Sequence, residues 1–270
     1  MGTRMRGGGL SWLIVIACLL SIVSVGCSGN LSALDPASVE AERIADLFWI
    51  MTAGTTIIWL LVMVLTFYCV RARPESVSQS QANGIIVWGG VIVPTVVLGG
   101  LLIFGLAMLP SLIAPAPEGS LTIKVDGELW WWRVSYPKPV GGEVALANEI
   151  HLPLGETAQF LLETDNVIHS FWIPSLGGKI DMVPGRVTRL ALTPTRAGIY
   201  RGVCAEYCGD SHALMKFDVV VESRADFDNW LARQSQPAAV PADELAEQGQ
   251  RAFLANGCGA CHAIRGTRAA

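Results

Sequence analysis

The sequence is short of charge. Only 16% of its 270 residues are Asp, Glu, Lys or Arg, against 51% hydrophobic, a balance that points to a membrane rather than to an ordinary soluble chain. The net charge of −4 is too weak to imply a nucleic-acid partner. The seven cysteines form no even framework, which argues against a disulfide scaffold. Cys18, Cys27 and Cys69 lie in or near apolar segments, Cys204 and Cys208 sit four residues apart, and Cys258 and Cys261 lie near the end. Charge is missing altogether from residues 10–26, 47–70 and 85–109. The length allows one or two folded domains.

The first uncharged run follows Arg4 and Arg6 and ends in small residues before Cys27. That reads as a secretory signal over residues 1–26. VSVGC is similar to a lipoprotein cleavage box, in which Cys27 would be lipidated, although Ser24 stands where such boxes prefer leucine. An uncleaved signal anchor is the alternative. Residues 30–46 are polar and read as an external segment that starts a helix. Residues 47–70 and 85–109 are each long enough to span a bilayer as a helix. Arg71 and Arg73 in the short loop between them place that loop in the cytoplasm, so both ends of the hairpin lie outside. Gly89, Gly90, Pro94, Gly99 and Gly100 give the second span small residues and a kink. They suit close packing against a larger membrane subunit.

From residue 121 to about 221 the character changes. LTIKV, LWWWRVSY, NEIHLPL, AQFLLET, RVTRLALT, GIYRGVC and MKFDVVVE read as seven short strands broken by Pro, Gly and Asp. An antiparallel Greek-key sandwich or barrel is expected. Alternation would put Trp130 and Trp132 on one face and Trp131 on the other. Residues 224–234 read as a surface helix, 235–241 as a linker and 243–255 as a helix. Cys258-x-x-Cys261-His262 then matches the c-type haem attachment signature, with two thiols for thioether bonds and His262 as iron ligand.

The chemistry concentrates in VCAEYCGDSHALM. Cys204 and Cys208 are followed by His212 and Met215, with Glu206 between the thiols. Thiolate, thioether and imidazole together form the set that copper selects. Two thiolates on one loop can bridge two metal ions. Each ion needs an imidazole, and His169 in NVIHSFWIP, on what reads as a strand edge, is the candidate for the second. A disulfide between the cysteines and a tetrahedral zinc site remain alternatives, although Met is a poor zinc ligand.

The pattern H…C-x-E-x-C-x-x-x-H-x-x-M, with IHSFWIPSLGGKIDMVPGR between its halves, resembles subunit II of cytochrome c oxidase. The resemblance implies a transmembrane hairpin followed by a cupredoxin-like barrel over residues 116–223. It implies that Cys204 and Cys208 bridge two coppers. His169 and Met215 would complete one, His212 and the carbonyl of Glu206 the other. The Glu206 carboxylate would reach a magnesium ion shared with subunit I. Trp130 matches the residue at which electrons arrive from cytochrome c. Val87 stands where many members carry a glutamate at the mouth of a proton pathway. Residues 242–270 resemble the start of a fused α-helical cytochrome c domain, which would hold haem c in a full-length form. As the chain stands, residues from about Ser235 onward are expected to lack a fixed fold. The implied partners are oxidase subunits I and III and cytochrome c. The implied place is a bacterial-type cell membrane, multi-pass, with the copper domain on the outer face. Residues 116–223 carry 13 acidic and 9 basic residues, a weak bias toward a basic electron donor. A quinol oxidase subunit II, which lacks the copper ligands, and a copper-carrying cupredoxin outside any oxidase are the competing readings.

Overall fold

The computed structural model describes residues 27–71, 78–138 and 142–268. The signal segment 1–26 and Arg73 fall outside the described residues.

Two long helices come first. In α1 (Val39–Arg71) the Ser38 hydroxyl accepts the Ala41 N–H at 3.0 Å. Glu40 and Glu42 occupy its first turn and Arg71 its last, charges that suit the helix dipole. α2 runs from Gln79 to Ile113 and opens with a capping box between Ser78 and Gln81. Its middle widens into a π turn at Trp88–Ile92. Pro94 follows at once; it has no N–H to give back to Gly90, and the wider turn absorbs the break. Both helices are apolar enough to cross a membrane, and their apolar side chains face outward. They outrun the uncharged stretches because polar residues extend their ends.

The segment before α1 lies along the domain that follows α2. The Ala37 N–H donates to the Ser175 carbonyl, the Thr195 N–H to Ala37 and the Arg201 N–H to Asn30, each at 2.8 Å. The Glu40 carboxylate accepts the Thr193 N–H at 2.8 Å.

That domain has ten strands: β1 (Leu121–Gly127), β2 (Trp132–Pro137), β3 (Glu143–Ala147), β4 (Glu149–Pro153), β5 (Ala158–Glu163), β6 (His169–Trp172), β7 (Ile180–Met182), β8 (Thr188–Leu192), β9 (Gly198–Cys204) and β10 (Lys216–Glu222). They form two five-stranded sheets, ordered β3-β2-β1-β5-β8 and β4-β10-β9-β6-β7. Every second residue of β5 and β10 is buried, as a half-buried strand requires. Between the sheets Phe171 stacks on Phe217 with centroids 4.9 Å apart, and Trp132 meets both edge-on. The architecture is the cupredoxin-like β-domain after a helical hairpin.

Several sequence expectations change. Ten strands replace seven: β6 and β7 are too short for alternation to register, and β3 has a single buried residue. β1–β5 and β4–β10 run parallel, so the sheets are mixed rather than wholly antiparallel. β2 begins at Trp132, so the pleat does not govern the tryptophan run: Trp132 is fully buried, while Trp130 and Trp131 precede the strand and are half-buried. The helix α3 (Arg224–Gln234) buries Phe227 and Trp230; the Trp230 ring stacks on His151 at 3.8 Å. Residues beyond Ser235 are not without structure. Asp243 caps α4 (Glu244–Ala255) by accepting the Ala246 N–H at 2.8 Å, and a single 3-10 turn spans Cys258–Ala260. A well-capped helix with one apolar face forms locally. That face, with Phe253 and Leu254, lines a groove of about 550 Å³ together with Pro241 and Ile264. Contact with the β-domain is slight; an Arg265 guanidinium lies 3.5 Å from the Ala145 carbonyl.

Candidate metal centre

The site is assembled by two neighbouring strands and one returning loop. β6 and β9 pair Phe171 with Cys204. This sets His169, which opens β6, beside Cys204, which closes β9. The chain then loops through residues 205–215 and comes back at the start of β10. There the Cys204 N–H donates to the Met215 carbonyl at 3.0 Å.

Each thiol sulfur gathers two further donors. Cys204 Sγ lies 3.8 Å from His169 Nδ1 and 3.2 Å from the Glu206 carbonyl oxygen. Cys208 Sγ lies 3.5 Å from His212 Nδ1 and 3.7 Å from Met215 Sδ. The donor atoms of His169, Cys204 and Cys208 all fall within 4.8 Å of one another. Both cysteines are free thiols in this structure. His169, Cys204, Cys208 and Met215 are buried, His212 is half-buried and Glu206 exposed.

Burial lowers the pKa of His169, and the charge of His212 acts the same way against the opposing pull of Glu128. The ring is thus held neutral, the form that binds metal. Burial, then the neighbouring Cys204 sulfur, push the Cys208 thiol up to about 11. A buried thiol that resists ionising is relieved when a cation takes its proton's place. Soft sulfur from two thiolates and a thioether, with two imidazoles and a carbonyl, is a set that fits copper and leaves zinc with an unsuitable Met.

Trp130 stands against this loop. Its indole N–H donates to the Cys208 carbonyl at 3.0 Å. Gly209 leaves room for it: a Cβ there would come within 3.2 Å of the indole, and the backbone φ of +117° itself favours glycine. Two residues that sequence reading passed over support His169. Asn166 Oδ1 lies 2.8 Å from its Nε2, and a Cβ on Gly127 would sit 2.8 Å from its Cδ2. An amide and a glycine carry no distinctive spacing, so nothing in the sequence marked them.

The remaining expected residues lie elsewhere in the fold. Cys258, Cys261 and His262 are exposed around one turn, closed by the His262 N–H to the Cys258 carbonyl at 3.0 Å. Cys27 is half-buried, and its carbonyl accepts the Ser32 hydroxyl at 2.9 Å. Val87 is exposed on α2.

Several known proteins are similar to this chain. The family model described as "Cytochrome C oxidase subunit II, periplasmic domain" matches residues 140–224. "Cytochrome c oxidase subunit 2" of Alkalihalophilus pseudofirmus is 35% identical over 262 residues, covering 92% of this chain and 75% of the relative. "Probable cytochrome c oxidase subunit 2" of Rickettsia bellii is 33% identical over 227 residues, covering 76% of this chain and 82% of the relative. Among solved structures, the periplasmic domain of subunit II of cytochrome oxidase from Bradyrhizobium japonicum aligns with a TM-score of 0.41 and 28% identity, covering 44% of this chain and 96% of that one.

Proposed function

The chain belongs to the cytochrome c oxidase subunit II family, and we propose that it receives electrons from cytochrome c at a dinuclear copper centre and passes them to subunit I of a haem–copper oxidase. The observation that carries this reading is the pairing at the sulfurs. Each thiol has one imidazole and one weaker donor beside it. Sorted into metal sites, His169 with Met215 and His212 with the Glu206 carbonyl each draw one donor from either sulfur. That is what two bridging thiolates need. Copper bound there would supply a one-electron relay whose charge is shared between two ions.

The chain's own residues hold the donors still. The hydrogen bond from Cys204 to Met215 closes the loop, and His169 is fully buried beside the Trp132 ring. Rigid, buried ligands change little between oxidation states, which keeps transfer fast. Trp130, half-buried and bonded to the backbone of Cys208, is assigned as the residue where electrons arrive. The exposed Glu206 carboxylate is assigned to a magnesium ion shared with subunit I. Cys258 and Cys261 are assigned to thioether bonds with haem c, and His262 to its iron. Residues 1–26 act as the leader, residues 116–223 as the copper domain on the outer face and residues 242–270 as the beginning of a cytochrome domain. Subunits I and III pack against α1 and α2.

Metal analysis of the full chain, purified in detergent and loaded with copper, tests the reading. Two coppers per chain and a purple colour are expected. A single copper, or zinc, would sink it. No copper at all would favour a quinol oxidase subunit.

A further inference from the structure

Asn166 is the only described side chain bonded to the outer nitrogen of His169, and its own orientation is fixed by two other partners. The Val167 N–H donates to Asn166 Oδ1 at 2.8 Å. Asn166 Nδ2 donates to the Gly127 carbonyl at 3.3 Å. A backbone N–H demands oxygen opposite it, and a carbonyl demands N–H. The amide therefore cannot be turned over, and the atom 2.8 Å from His169 Nε2 is oxygen. An amide oxygen only accepts. Nε2 must carry the proton, and Nδ1 is left bare, 3.8 Å from Cys204 Sγ. Thr164 braces this arrangement. Its hydroxyl lies 2.9 Å from the Gly127 carbonyl and 3.3 Å from Asn166 Oδ1. The missing side chain of Gly127 leaves the ring its space.

We infer that Asn166 is a positioning residue that selects Nδ1 of His169 as the metal-facing nitrogen and, as a neutral partner, sets the reduction potential of the centre. The inference rests on the copper reading for its second half. A partner on the outer ring nitrogen of a metal-bound histidine fixes the tautomer and raises ligand basicity. A carboxylate in this position would draw the Nε2 proton strongly and make the imidazole a better donor to the oxidised metal. A neutral amide draws it weakly, so the potential stays higher than a carboxylate would allow.

The test uses the full chain in detergent with Asn166→Leu, Asn166→Asp and Thr164→Val. Long-range ¹H–¹⁵N NMR on histidine-labelled, metal-free protein should show His169 as the single Nε2–H tautomer. Asn166→Leu should show a mixture, and Asn166→Asp should restore the Nε2–H form. With copper, Asn166→Leu should bind on the order of ten- to a hundred-fold more weakly by chelator competition. Asn166→Asp should bind within a few-fold of the parent but at a lower potential by spectroelectrochemistry. If Asn166→Leu does not fold, Thr164→Val serves in its place, with a smaller shift in the same tautomer signal. A parent protein lacking the Nε2–H tautomer overturns the inference whatever metal binds. So does a Leu or Val variant with parental tautomer, affinity and potential. A parent with the expected tautomer but one metal or none sinks the copper reading alone.

Discussion

Met215 and the two cysteines stand in the site on unequal terms. Each thiol sulfur has donors from both metal positions beside it, whereas Met215 Sδ approaches Cys208 alone. Cys204→Ser or Cys208→Ser should therefore abolish the dinuclear centre. Met215→Leu should keep two coppers and shift the potential, since a thioether is a weak axial ligand. Copper analysis of the three variants decides it, and equal loss in all three contradicts the assignment. Asp126 offers a test free of metal. Burial raises its carboxyl pKa, as do Glu163, Glu128 and Asp165, with Arg133 opposing. The folded state then binds the proton more tightly than the unfolded one. Stability linked to this group should rise as pH falls through the raised pKa toward the ordinary carboxylate range. Asp126→Asn should raise stability at pH 7 by under about 1 kcal/mol after solvent screening and flatten that slope in thermal unfolding from pH 4 to 7. At this scale the six residues that the structure gathers at the two sulfurs were legible because metal chemistry restricts such sets to a few residue types at fixed spacing. Asn166 and Gly127 were not, because their roles depend on a contact and on an empty space.

The elements show the same division. β9 was readable to its exact ends, since alternating apolar residues fill it and Cys204 closes it. β7 escaped because three residues cannot display a period, and β6, with four, showed only as a strand edge at His169. The parallel pairing of β1 with β5 leaves no trace in either strand's composition. α3 was legible as a helix but not as part of the core. Its Trp230 stacks on His151, whose ring nitrogens meet Glu222 at 2.6 Å and Glu149 at 2.9 Å. Phe227 and Trp230 also pack against Tyr136. Trp230→Ala should cost about 3–5 kcal/mol, as expected for a buried tryptophan, measured by denaturant unfolding of the β-domain signal. A loss below about 1 kcal/mol would show that α3 rests on the surface. Its outer tie is weaker: Arg224 pairs with Glu156, whose pKa is lowered by that hydrogen bond. That contribution is present above the ordinary carboxylate pKa and fades as pH falls through the lowered one. Glu156→Gln should cost no more than about 1 kcal/mol at neutral pH.

For the whole molecule, the membrane hairpin was visible as two uncharged runs, and Arg71 with Arg73 gave its orientation. The structure supplies a separate argument that the sequence could not. Backbone hydrogen bonds join residues on either side of the hairpin: Asn30 to Arg201, and Ala37 to Ser175 and Thr195. Backbone groups have no side-chain signature, so this seam was invisible in the residues. Its consequence is topological. If residues 30–40 and the β-domain touch, they lie on one side of the membrane, and α1 and α2 must cross it and return. Charge bias then fixes which side. A reporter fused at Gln81 should be active only in the cytoplasm, and reporters at Asn30 and beyond Leu121 only outside. A reporter at Gln81 active outside would reverse the orientation. Opposite sides for Asn30 and Leu121 would break the seam itself, which the charge argument alone could never expose. The seam also bears on transfer. Glu40 holds the first turn of α1 to Thr193, so the domain is braced against α1 rather than hinged on residues 114–120 alone. Glu40→Ala should leave the copper spectrum unchanged, raise amide exchange at Thr193 and slow electron delivery to subunit I. Unchanged exchange and rate would mean that the linker alone sets the domain's place.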